Sequence, residues 1–160
     1  MRVIVVNSGS SSIKYESFDV SPFAASANGL LERIGTSDSR LKHRWLDSAS
    51  DRWEEMVETR AVVDHREGFS LVLEVSSRAR AQTKPGTILA VGHRVVHGGE
   101  RFKEPAIIDD RTLEEIRELI PLAPLHNPAN LTGIEVMREL LPDVPQVAVF
   151  DTAFHQTMQP

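Results

Sequence analysis

Val3-Ile4-Val5-Val6 is an unbroken β-branched run that stops at Asn7-Ser8-Gly9-Ser10-Ser11-Ser12, after which Ile13-Lys14-Tyr15-Glu16-Ser17-Phe18-Asp19-Val20 resumes strand-forming residues in partial alternation. β-branched side chains are stiff at χ1 and pack well on a pleated surface, and a Gly/Ser cluster between two such runs is turn chemistry. The first twenty residues therefore predict strand, turn and antiparallel strand. Further candidate strands at 27–34, 40–46 and 53–63 are separated by Gly35-Thr36-Ser37-Asp38-Ser39 and Asp47-Ser48-Ala49-Ser50-Asp51, which extends the pair into a meander.

The pattern then changes period. From 67 to about 83 the spacing predicts a helix with Phe69, Val72 and Leu73 on one face and Pro85-Gly86 as its stop. Ile88-Leu89-Ala90-Val91 reads as a buried strand entering Gly92-His93-Arg94-Val95-Val96-His97-Gly98-Gly99. Asp109 or Asp110 can cap a helix carrying Leu113, Ile116, Leu119 and Ile120 and ended by Pro121. Asn127-Pro128 opens another, because Pro is tolerated in a first helical turn, and it presents Leu131, Ile134, Met137 and Leu141 before Pro142. A last strand covers 146–150, with Asp151 at its end. Antiparallel strands followed by alternating helix and strand predict an α/β domain, a mixed sheet with helices packed on it.

Composition bounds the function. At 160 residues and 41% apolar content the chain can bury one sizeable core, residues 1–160 as a single domain. Its 23 acidic residues outnumber 18 Lys and Arg, for a net charge of −5, which argues against a nucleic-acid partner. The absence of cysteine fits a reducing compartment, cytoplasm being the default, and the four-residue apolar start is far short of a span of about 20 residues, so no membrane is expected.

Four segments could carry chemistry. The Asn7–Ser12 turn, with Lys14 on the outgoing strand, can gather N–H groups, hydroxyls and a point charge around an anion, though a plain polar hairpin turn accounts for the same residues. It is not a Walker loop, since no second Gly precedes the lysine and a strand follows. Arg94 leaves an apolar strand close to Gly98-Gly99, and its fork suits carboxylate or phosphate, or a structural ion pair. His93 and His97 share a face of a strand rather than of a helix, which favours packing or hydrogen-bonding roles over a metal pair. Pro121-Leu122-Ala123-Pro124-Leu125-His126-Asn127-Pro128 places His126 at a helix start, able to donate to a phosphate oxygen or simply to cap. Asp151 stands beyond the carboxyl end of a strand, where ligands tend to sit and where a catalytic carboxylate or a magnesium-water ligand would be useful, though a turn or helix cap accounts for it equally.

Together these segments resemble the acetate kinase family, within the group of actin, sugar kinases and heat-shock-protein ATPases. The likeness is carried by Val5-Val6-Asn7-Ser8-Gly9-Ser10-Ser11-Ser12-Ile13-Lys14, residues 92–99, Pro124-Leu125-His126-Asn127-Pro128 and Phe150-Asp151-Thr152-Ala153-Phe154-His155, in order, with weaker markers at 29–35 and Asp64-His65. The resemblance implies a ribonuclease-H-like (actin-like ATPase) fold and reversible transfer from ATP to acetate, giving ADP and acetyl phosphate. It implies Asn7 near Mg²⁺ (or Mn²⁺), Ser10, Ser12 and Lys14 on nucleotide phosphates, and Arg94 on the carboxylate or acyl phosphate. It further implies Val96 and Leu125 around the acetate methyl, His126 near the transferring phosphoryl, Asp151 as acid or base, and a homodimer. Family members are more than twice as long, so the resemblance implies an N-terminal portion, the acyl-phosphate side of a cleft. The nucleotide-binding domain would lie outside this chain, which alone would be a poor catalyst or none. Propionate or butyrate kinases share the chemistry. A non-catalytic ribonuclease-H-like binding module is a further alternative, whereas a two-metal nuclease would need a carboxylate where Asn7 stands.

Overall fold

In β1 (Arg2–Ser8), pleat alternation sends Ile4, Val6 and Ser8 into the interior and Val3, Val5 and Asn7 to the opposite face. The computed structural model of the chain describes residues 1–81 and 87–155; the expected helix end near Thr83, its stop at Pro85-Gly86, and residues 156–160 lie outside them. β1 pairs antiparallel with β2 (Ser12–Val20), so that Asn7 lies opposite Lys14. β3 (Phe23–Glu32), β4 (Thr36–Asp47) and β5 (Arg52–Val62) complete the expected meander. β3 starts four residues before the expected 27, because backbone pairing to β2 continues through the small residues 24–26, aided by a register shift at Ser17/Phe18. Pairing of this kind leaves no apolar period to read.

After α1 (His65–Ala81), β6 (Ile88–Val95) returns parallel to β1. A two-residue strand β7 (Ala106–Ile107), α2 (Asp110–Glu118), a 3₁₀ turn (Ile120–Leu122) and α3 (Asn127–Leu140) then lead to β8 (Gln146–Phe150), parallel to β6. The short helix α4 (Asp151–His155) follows at once. The eight-stranded sheet runs β5-β4-β3-β2-β1-β6-β8-β7, the mixed sheet expected. β7 was not foreseen: two residues are too few for periodicity, and its antiparallel pairing to β8 defines it.

The interior lies on one sheet face. Ile4, Val6, Ile13, Tyr15, Leu31 and Leu41 meet Phe69, Val72 and Val75 of α1 and Met137 of α3, while Val95, Ala148 and Phe150 meet Ile116 of α2 and Leu131 and Ile134 of α3. Asp109 caps α2 by accepting from the Thr112 N–H at 2.7 Å. Gly133 lets α3 lie close to the sheet, since a Cβ there would stand 2.6 Å from the Ser8 Cβ. The opposite face carries Val5, Asn7, Lys14, Lys42, Arg44 and Arg94. Among the described residues no helix is long and apolar enough to cross a membrane.

Candidate active site

The β1–β2 turn is closed from within. The Gly9 N–H donates to the Ser12 carbonyl at 2.8 Å, and the Ser11 carbonyl accepts from the Ile34 N–H at 3.0 Å. The His65 ring, at the start of α1, donates through Nε2 to the Gly9 carbonyl at 2.7 Å. Gly9 carries no Cβ where one would stand 2.9 Å from the Ser12 Oγ. One donor expected for an anion, the Gly9 N–H, is thus spent on the turn itself, and the Ser10 and Ser12 side chains face the cleft beside it. His65 entered the sequence reading only as a weak marker; no local pattern links it to residue 9, 56 positions away.

At the end of β6, alternation buries His93 and Val95 and turns Arg94 outward. Arg94 Nε donates to both Asp151 carboxylate oxygens at 3.0 and 3.1 Å, and Nη2 donates to Oδ2 at 2.7 Å. This fork-on-carboxylate geometry holds the guanidinium even more firmly charged than usual, mainly through the hydrogen bonds to Asp151. His93 points the other way and donates to Gln146 Oε1 at 2.7 Å; burial lowers its pKa to about 4. His97 lies beyond β6, not on it, and its Nδ1 accepts from the Gly99 N–H at 2.9 Å. The two histidines therefore make separate hydrogen bonds and do not form a pair. The Gly98 N–H is taken by Thr152 Oγ1 at 2.9 Å, tying this loop to the start of α4.

The third segment resolves differently from its neighbours. His126 occupies the N-cap position of α3 without a capping side-chain bond, so the simple-cap reading does not hold. Asn127 is fully buried and turns its amide to the His97 N–H and carbonyl, at 3.2 and 3.1 Å, and to the Leu119 carbonyl at 3.2 Å. Asn130, also buried, accepts from the Val96 N–H at 3.1 Å and donates to the Ser8 carbonyl at 2.8 Å. Sequence reasoning passed over this pair; two amides three residues apart on the apolar face of a helix were the available signal.

One cleft of about 610 Å³ takes Asn7, Ser10 and Ser12 from the first wall, Arg94 and Val96 from the second, and Leu125 and His126 from the third. A neighbouring cavity of about 490 Å³ shares Asn7 and Arg94 and adds Lys14, Lys42 and Arg44 on the open sheet face. Lys14 thus stands beside Asn7 rather than among the serines, and Asp151 joins through Arg94. Among the described residues no three His, Asp or Glu side chains are grouped to hold a metal ion. The Asn7 amide oxygen, the serine hydroxyls and the Asp151 carboxylate are hard donors. Oxygen donors of this kind fit a hard divalent cation held by few protein groups, the Asp151 carboxylate being engaged by Arg94 in this structure.

The family model described as the acetokinase family matches residues 2–160. The acetate kinase of Syntrophobacter fumaroxidans is 58% identical over 161 residues, covering 100% of this chain and 39% of its own length. That of Thermotoga maritima is 51% identical over 160 residues, covering 99% and 38%. Among solved structures, Porphyromonas gingivalis acetate kinase superposes with a TM-score of 0.86 at 39% identity, covering 99% of this chain and 39% of the other. A propionate kinase from Francisella tularensis gives 0.85 at 35%, covering 99% and 38%. The chain therefore spans less than two fifths of the length of these relatives.

Proposed function

This chain belongs to the acetokinase family and carries its actin-like, ribonuclease-H-like fold, and from that premise we propose that it supplies the carboxylate-gripping wall of an acetate kinase. The proposal covers reversible transfer from ATP to acetate by the longer protein, acting as a cytoplasmic homodimer. One observation carries the reading: Asn7, Ser10, Ser12, Arg94, Val96, Leu125 and His126, expected at the site from three separated segments, line a single cleft, with Lys14 in the adjoining cavity and Asp151 bonded to Arg94.

In the proposed reaction an acetate oxygen forms a bond to the γ-phosphorus while the bond to the β–γ bridging oxygen breaks, its electron pair leaving on ADP. Little covalent chemistry is asked of the protein, so positioning and charge neutralisation dominate. Arg94 offers a fork for the carboxylate or the acyl phosphate, and Val96 and Leu125 give the methyl an apolar wall. His126 donates to the transferring phosphoryl, and Ser10, Ser12 and Lys14 meet the nucleotide phosphates. Asn7 would hold Mg²⁺ or Mn²⁺, which when bound neutralises phosphate charge, and Asp151 would serve as the acid or base. When an anion takes the Arg94 fork, the Asp151 carboxylate is released to act on the reacting groups.

The test is acyl phosphate formation by the longer protein with acetate, propionate and butyrate, which also ranks the three acids. Arg94→Ala should raise the acetate KM and depress kcat together, and Asp151→Asn should remove most turnover. Absence of acyl phosphate with all three acids would refute the reading; unchanged kinetics in Arg94→Ala would remove that residue from the site.

A further inference from the structure

We propose that Asn130 is a positioning residue that fixes the spacing between the β1 turn and the end of β6, the two walls between which the proposed transfer takes place. The β1–β6 ladder ends at Val6 and His93. Beyond it the strands carry the parts of the site that must stay in register: Asn7 and the serine turn on one, Arg94 and Val96 on the other. The Asn130 amide continues the ladder by other means. Its Nδ2 donates to the Ser8 carbonyl at 2.8 Å and its Oδ1 accepts from the Val96 N–H at 3.1 Å. One planar group of fixed size therefore sets the gap. It is 4% exposed, and its bond to the Ser8 carbonyl is buried, which limits competition from water there.

The helix bearing Asn130 is itself fixed at that height. One turn earlier Asn127 grips both backbone groups of His97, and one turn later Gly133 rests against Ser8. An amide of this length supplies one donor and one acceptor to the two strands at every pH. An aspartate has the same shape but, when ionised, turns an acceptor toward the Ser8 carbonyl; when protonated, it again offers one donor and one acceptor. This switch distinguishes positioning from bulk support. A displacement of about 1 Å between reacting groups can cost on the order of 100-fold in rate without weakening either ligand.

The inference rests on the proposed transfer reaction, so the longer protein is assayed first without substitution. Asn130→Asp should then lose kcat by on the order of 100-fold near neutral pH. The KM values for acetate and nucleotide should stay within about threefold of those of the unsubstituted protein, because each wall stays intact. The deficit should shrink as pH falls, while Asn130→Leu keeps a constant deficit over the same range. Should the buried carboxylate prevent folding, Asn130→Ser, too short to reach both strands, should show the same loss of kcat at unchanged KM. Calorimetric binding stoichiometry reports the folded fraction of each variant. An unchanged kcat, or a loss matched by the loss of binding-competent protein at every pH, overturns the inference alone. An unsubstituted protein that forms no acyl phosphate overturns the functional reading and this inference with it.

Discussion

His93 links the stability of this chain to pH, and the direction follows from its surroundings. The ring is 2% exposed and donates to Gln146, and burial lowers its pKa to about 4. In the unfolded chain an imidazole titrates near about 6.5. Between those values the unfolded chain binds more protons than the folded one. Stability is therefore complete above about pH 6.5 and declines as pH falls through the window toward about 4. Integrating the linkage from about pH 7.5 to about pH 4.5 gives a loss of about 2–3 kcal/mol from this residue. Carboxylates titrate in the same range, so the measurement is a difference. Urea unfolding of the 160-residue chain and of His93→Gln is followed at both pH values with m held as a check on two-state behaviour. The variant should be less stable near neutrality, and the gap should narrow by about 2–3 kcal/mol at the acidic end. Parallel pH curves for the two proteins would refute the argument that His93 is held neutral by burial.

Two further outcomes follow from close contacts. Gly133→Ala would normally stabilise a helix by about 1 kcal/mol, but its Cβ would stand 2.6 Å from the Ser8 Cβ. It should therefore destabilise by about 1–3 kcal/mol in urea unfolding, and a stabilised variant would sink the close-approach argument. Thr152→Val preserves shape but leaves the Gly98 N–H without its acceptor, which should cost about 1–3 kcal/mol by the same assay. An unchanged midpoint would mean that this hydrogen bond does not hold the loop.

The sheet and its helices were legible because their causes are local. A β-branched run, a Gly/Ser turn and resumed alternation made β1 and β2. Asp109 before Leu113 and Ile116 made α2, and Pro128 marked the start of α3. The candidate site was legible as a set of residue types, Asn7, Arg94, His126 and Asp151, but not as an arrangement. Asn130 reaches Ser8 across 122 residues, and His65 reaches Gly9 across 56. Neither partner alters the spacing pattern near the other. The same holds for Asp151: from sequence it was equally a ligand, a catalytic carboxylate or a cap, and only the fold sets it within reach of Arg94, 57 residues away.

That contact bears on how the Asp151 test is to be read. Both side chains are substantially open to solvent, 51% for Arg94 and 37% for Asp151. Ion pairs so exposed contribute about 0–1 kcal/mol, even with the better geometry of a two-pronged guanidinium–carboxylate contact near the upper end. Removing the pair can therefore change the folded population only slightly in a chain with an ordinary margin of about 5–15 kcal/mol. A turnover loss of 100-fold corresponds to about 2.7 kcal/mol, more than the pair can contribute to stability. A loss that large in Asp151→Asn, with the thermal midpoint little moved, would have to arise at the reacting groups. On the proposed reading, the same weakness would let an anion open the pair: a carboxylate or phosphate in the cleft would offer Arg94 equivalent charge-assisted bonds, each worth about 1.5–3 kcal/mol where water is excluded. In the proposed reaction the Arg94–Asp151 contact would thus orient both groups before a ligand arrives and be weak enough to be exchanged for one.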